Sequence, residues 1–154
     1  MNAWRGYRRL NAPSRALARE AAVALLSTRV GVRLAGFRRW QDFLAWLTRG
    51  SHAFPASRAA EIALARAIAH IATATARHLP IRSNCLERSL ALCVLLRRRG
   101  ISAELRMGAR KHAGRFEAHA WVAMDEIVLT EDGGARAEFS PFPGTIGRAE
   151  GQAR

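Results

Sequence analysis

Apolar residues along this chain follow a helical spacing of three to four up to about residue 99, and a spacing of two from there to about residue 130. After Pro13 and Ser14, a helix start, Leu17, Ala21, Ala24 or Leu25 and Thr28 fall on one face. Val30, Leu34, Phe37, Leu44 and Leu47 continue at similar spacing beyond Gly31, so two amphipathic helices are predicted. Trp40, Phe43 and Trp46 widen the second apolar face beyond what a lone helix would expose. Residues 49–57, with Gly50, Ser51 and Pro55, read as a linker. Ile62, Ala65 or Arg66, Ile68, Ala69, Ala72 and Ala76 then make an alanine-rich helix that ends before Leu79 and Pro80. Its small side chains allow a neighbouring helix to approach closely.

A further helix begins at the capping residue types Ser83 and Asn84. Leu86, Leu90, Cys93, Val94 and Leu96 carry it to a basic last turn before Gly100. Ile101, Ala103, Leu105 and Met107 alternate with polar positions as a half-buried strand does, and residues 108–114 read as a basic loop. A second strand covers residues 117–124 and a third 127–130. Asp125 and Glu126 between them have room for a tight turn but lack the glycine such turns prefer. Beyond Asp132 the chain turns at Gly133 and Gly134; Phe139, Pro141 and Phe142 are expected to tuck back, and residues 144–154 to fray. The fold class is α+β: N-terminal helices packed on a core in which a helix N-terminus faces a small antiparallel sheet.

Two residues in this frame carry chemistry. Cys85 falls at the first turn of its helix, where backbone N–H groups and the positive end of the helix dipole favour a thiolate and could hold an oxyanion. Taken alone, a lone cysteine is also a small buried hydrophobe. His119 lies in the second strand, with Trp121 on its face and Ala120, Val122 and Met124 on the other. It is placed to act as general base toward Cys85, or else is an ordinary core or surface histidine. Trp121 could wall a substrate groove or simply fill the core. The acid that orients the imidazole depends on register: a two-residue turn at Asp125 and Glu126 sets Asp132 opposite His119, and a three-residue turn sets Glu131 there.

Charge and composition narrow the partners only a little. The 154 residues suit one domain with its own core, and 49% hydrophobic content is that of a globular chain. Residues 1–50 form a basic helical region and residues 51–154 the core, together one unit. Net charge is +13, and the basic residues are arginines apart from Lys111. Residues 1–50 hold ten arginines against Glu20 and Asp42, a face suited to an acidic partner or a membrane surface, or merely a solvated helical cap. Nucleic acid is not expected, because no helix-turn-helix or stacking platform is present. His52, His70, His78, His112 and the cysteines show no metal-ligand spacing, and no nucleotide motif occurs, so no metal or cofactor is expected. Residues 21–26 are too short for the apolar core of a secretory signal. Cys85 and Cys93, about 12 Å apart along one helix, cannot form a disulfide. Both observations suit a reducing, cytoplasmic location.

Leu79-Pro80, Ser83, Cys85-Leu86-Glu87-Arg88-Ser89-Leu90-Ala91-Leu92, Leu95-Leu96-Arg97-Arg98-Arg99-Gly100-Ile101, Ala103-Glu104-Leu105-Arg106, Gly108 and Ala118-His119-Ala120-Trp121-Val122 together resemble the stand-alone leader peptidase of lasso peptide biosynthesis, within the transglutaminase-like cysteine peptidases. The likeness covers residues 79–142. It implies a papain-like Cys-His-Asp fold, Cys85 as nucleophile, His119 as base and cleavage of a precursor's leader peptide. It also implies two partners, a small recognition-element protein that presents the leader and an ATP-dependent cyclase that takes the product. Where such relatives commonly carry an acid twelve residues after the histidine, this chain has Glu131, with Asp132 next. Two other functions use the same cleft: a non-catalytic peptide-binding module, and transglutaminase-like acyl transfer to an amine.

Overall fold

Asn11 opens the first helix, α1 (Ala12–Ala35), its side-chain oxygen accepting the Ser14 N–H at 2.9 Å with Pro13 in the first turn. The computed structural model describes residues 10–49, 57–130 and 139–142. α1 runs through Gly31, where the sequence suggested a break, and stops instead at Gly36, whose φ of +79° is open to glycine. Gly31 is nevertheless needed: a Cβ there would lie 2.1 Å from the indole of Trp40 on α2 (Phe37–Leu47). Trp40 thus packs on the backbone of α1, Phe43 packs on Trp40 and Trp46 stacks on Phe43, with ring centroids 5.1 and 6.0 Å apart. Phe43 and Trp46 remain exposed.

α3 (Arg58–His78) is capped by Ser57 and ends in extended backbone at Leu79 before Pro80. Ala65, Ile68, Ala69 and Ala72 are its buried face, and it packs against α1 and α4 (Cys85–Arg97). α4 is the central helix, with Glu87, Ser89 to Cys93, Leu95 and Leu96 all buried. An amphipathic stripe cannot describe such a helix; neighbours on several sides can. Two ion pairs fix α1 antiparallel to α4: Arg29 with Glu87 near the start of α4, and Glu20 with Arg99 just past its end.

The sheet is antiparallel, in the order β3 (Ile127–Val128), β2 (Arg115–Met124), β1 (Glu104–His112), β4 (Ser140–Pro141). Residues 108–112, expected in a loop, extend β1 instead. A two-residue turn at Ala113 and Gly114, both at positive φ, closes the hairpin tightly enough for the ladder to run to its tip. Met124 pairs with Ile127, so Asp125 and Glu126 also form a two-residue turn, with Asp125 at φ +53° supplying what glycine would have. Leu105, Ala120, Val122 and Met124 pack with α4 in the main core, and Trp121, Ala123 and Phe139 form a second cluster on the opposite face. Phe139 is buried as expected, whereas Phe142, held by its N–H to Met107, is half exposed. Most of the expected linker, the turn at Gly133 and Gly134, the fraying end, and both Glu131 and Asp132 lie outside the described residues.

Candidate active site

Cys85 is the first residue of α4. Asn84 before it is extended; its side-chain oxygen accepts the Glu87 N–H at 2.8 Å, and the Glu87 carboxylate accepts the Asn84 N–H at 3.2 Å. This reciprocal capping box fixes the path of the chain through Cys85. The N–H groups of Cys85 and Leu86 have no carbonyl of the helix to bond, the condition under which a helix start can hold an anion. Cys85 is a free, half-buried thiol. Cys93, two turns on, is fully buried, and burial pushes its thiol up to about 11, outweighing the opposing pull of Arg97. It lines a narrow cavity of about 20 Å³ with Leu44, Leu90 and Leu105, room for no more than a water.

His119 is half buried on β2, opposite Gly108 of β1. Its ring stacks toward Trp121 at 6.3 Å between centroids and tilts against Phe139 at 5.3 Å. Gly108 makes this arrangement possible, since a Cβ there would come within 2.7 Å of the Ser140 carbonyl oxygen and 3.1 Å of the Trp121 ring. On the same face Arg110 lies 4.7 Å over the Phe139 ring and pairs with Glu117 at 2.7 Å. Trp121 is 2% exposed and clusters with Ala123 and Phe139. Its indole N–H has no partner among the described residues.

The elements carrying Cys85 and His119 are in direct contact. Ser89, one turn along α4 from Cys85 on the same side, donates its hydroxyl to the carbonyl of Ala120 at 3.1 Å, next to His119. Cys85 packs against the cluster between α4 and the sheet, and the His119 ring packs against Trp121 and Phe139. Sequence reasoning gave no role at the site to Ser89, Glu87 or Arg29, and placed Phe139 only as a residue that tucks back onto the domain. Asn84 and Glu87 at capping-box spacing were a readable signal; Arg29, 58 positions from Glu87, gave none. Among the described residues no group of three or more His, Cys, Asp or Glu side chains could hold a metal ion, and no helix is long and apolar enough to cross a membrane.

A helix that begins with a free cysteine, packed on an antiparallel sheet that carries a histidine, defines an α+β class with helices on one face of a small sheet. Comparison of the sequence with protein families is more particular: the profile described as the transglutaminase-like superfamily matches residues 24–143, and the chain belongs to that superfamily. The match takes in α1 from its middle onward and the whole of α2. No curated protein and no solved structure matches the chain.

Proposed function

We propose that this protein is a cysteine peptidase that removes the leader peptide from a lasso peptide precursor. The observation that carries it is the seating of a free cysteine as the first residue of the central helix, with the next turn hydrogen-bonded to the strand residue beside His119. His119 takes the proton of the Cys85 thiol, and the thiolate attacks the carbonyl carbon of the leader-core bond. Backbone N–H groups at the start of α4 hold the oxyanion, and the amine leaves with the proton from the imidazolium. Water, deprotonated by His119, then hydrolyses the thioester. Glu131 or Asp132 orients the ring; the two-residue turn at Asp125 and Glu126 is the case in which the sequence favours Asp132. Trp121 backs the imidazole from the core.

Cys85→Ala is expected to abolish cleavage of the precursor, measured by mass spectrometry, while circular dichroism stays that of the wild type. Full cleavage by that variant rules the mechanism out. The same spectra distinguish hydrolysis from amine incorporation. The runner-up reading is a non-catalytic module that binds a peptide in the same cleft. Precursor binding without turnover by the wild type, with the recognition-element protein present, decides for that module.

A further inference from the structure

Arg29 lies on α1, far from Cys85 in sequence, yet its guanidinium reaches the loop that delivers the cysteine. One of its terminal nitrogens donates to the Arg82 carbonyl and, at 3.3 Å, to a carboxylate oxygen of Glu87. That same oxygen accepts the Asn84 N–H. Arg82, Asn84 and Glu87 bracket Cys85 on both sides, so one side chain holds the strap before the nucleophile and the first turn after it.

Glu87 is 4% exposed and Arg29 largely covered, so water screens their charges weakly. A carboxylate folded back onto the N–H of the residue before Cys85 sets a negative charge within the same helical turn as the thiol. Such a neighbour opposes ionisation of the thiol unless a cation offsets it.

We propose that Arg29 is a positioning residue for the nucleophile: its guanidinium neutralises the Glu87 carboxylate and locks residues 82–87, so that the start of α4 favours the Cys85 thiolate. This rests on the cysteine-nucleophile reading above. It also assigns the basic N-terminal helix a part in the chemistry through contact with Glu87, distinct from any docking role.

The test is iodoacetamide labelling of the full chain across pH, with Cys85 and Cys93 resolved by peptide mapping. Arg29→Met should label Cys85 about tenfold more slowly at neutral pH, with the profile displaced upward by about one pH unit. Arg29→Lys, which keeps the charge but reaches fewer acceptors, should fall between. Arg29→Met combined with Glu87→Gln should return the profile to the wild-type position, because no carboxylate charge then faces the thiol. An unchanged profile in Arg29→Met, or a double variant that stays displaced, overturns the proposal. If Arg29→Met does not fold, Arg29→Lys and the double variant decide by the same criteria. Labelling needs no turnover, so an inactive wild type with the expected profiles defeats the peptidase reading and supports the role of Arg29.

Discussion

Cys85 and Cys93 share a helix but not an environment. Cys85 stands half exposed at the capped start of α4, whereas Cys93 is enclosed by Leu90, Leu105 and the other residues of the core. Burial disfavours the charged form, which is why the Cys93 thiol is pushed up from an ordinary value near 9.0 to about 11. Below pH 9 this thiol is protonated whether the chain is folded or not, and stability owes nothing to it. Between about 9 and 11 the unfolded chain gives up the proton and the folded one keeps it, so stability falls as pH rises through that window. Comparing denaturant unfolding of the wild type and Cys93→Ala at pH 8.5 and 11 should show the difference between them shrinking by ~2 kcal/mol. Parallel pH curves would mean that Cys93 is not shielded as described.

The elements show how local rules and packing compete. Glycine inside a helix costs about 1 kcal/mol relative to alanine, so propensity alone marks Gly31 as a break. α1 passes through it because the Trp40 indole occupies the space where a Cβ would be. Gly31→Ala sets that gain of about 1 kcal/mol against an overpacking cost of typically 1–3 kcal/mol. The clash at 2.1 Å involves a large aromatic ring wedged between helices, so overpacking should win. The expected result is a lower melting temperature with altered tryptophan fluorescence; a more stable variant would refute the close contact. The hairpin teaches a related lesson, since residues 108–112, opening on Gly108 and running on into Arg110, Lys111 and His112, look like a basic loop rather than strand. They pair because Ala113 and Gly114 form a turn whose twist matches the ladder.

At the scale of the molecule, the outer side of the N-terminal helices is unlike an ordinary solvated face. Val23, Leu26, Val30 and Leu34 recur at helical spacing along α1 with exposures from 44% to 83%, and Phe43, Trp46 and Leu47 are exposed on α2. Arg19, Arg33, Arg38 and Arg39 are exposed beside them. Apolar positions bordered by arginines suit a partner with an acidic, amphipathic surface. In the proposed function that partner is the recognition-element protein or the cyclase. Removing the helices would not test this, because Ala21 and Leu25 are buried and Arg29 and Glu20 tie α1 to α4. Leu34→Glu with Trp46→Glu should leave the unfolding free energy within about 0.5 kcal/mol of the wild type, as exposed substitutions do, while reducing capture of the partner in a pull-down. Undiminished capture would locate docking elsewhere.

Helix periodicity, capping residues and the alternation after Ile101 were enough to fix four helices followed by antiparallel strands, and to put Cys85 at a helix start and His119 in a strand, because those properties depend on neighbours within a few positions. The continuity of α1 through Gly31, the two-residue turn at Asp125 and Glu126, the Gly108 notch beside Trp121 and the grip of Arg29 on the Cys85 loop were decided by contacts between segments distant in sequence. A side chain's own spacing tells which face it takes. What waits on that face is set only when the chain has packed.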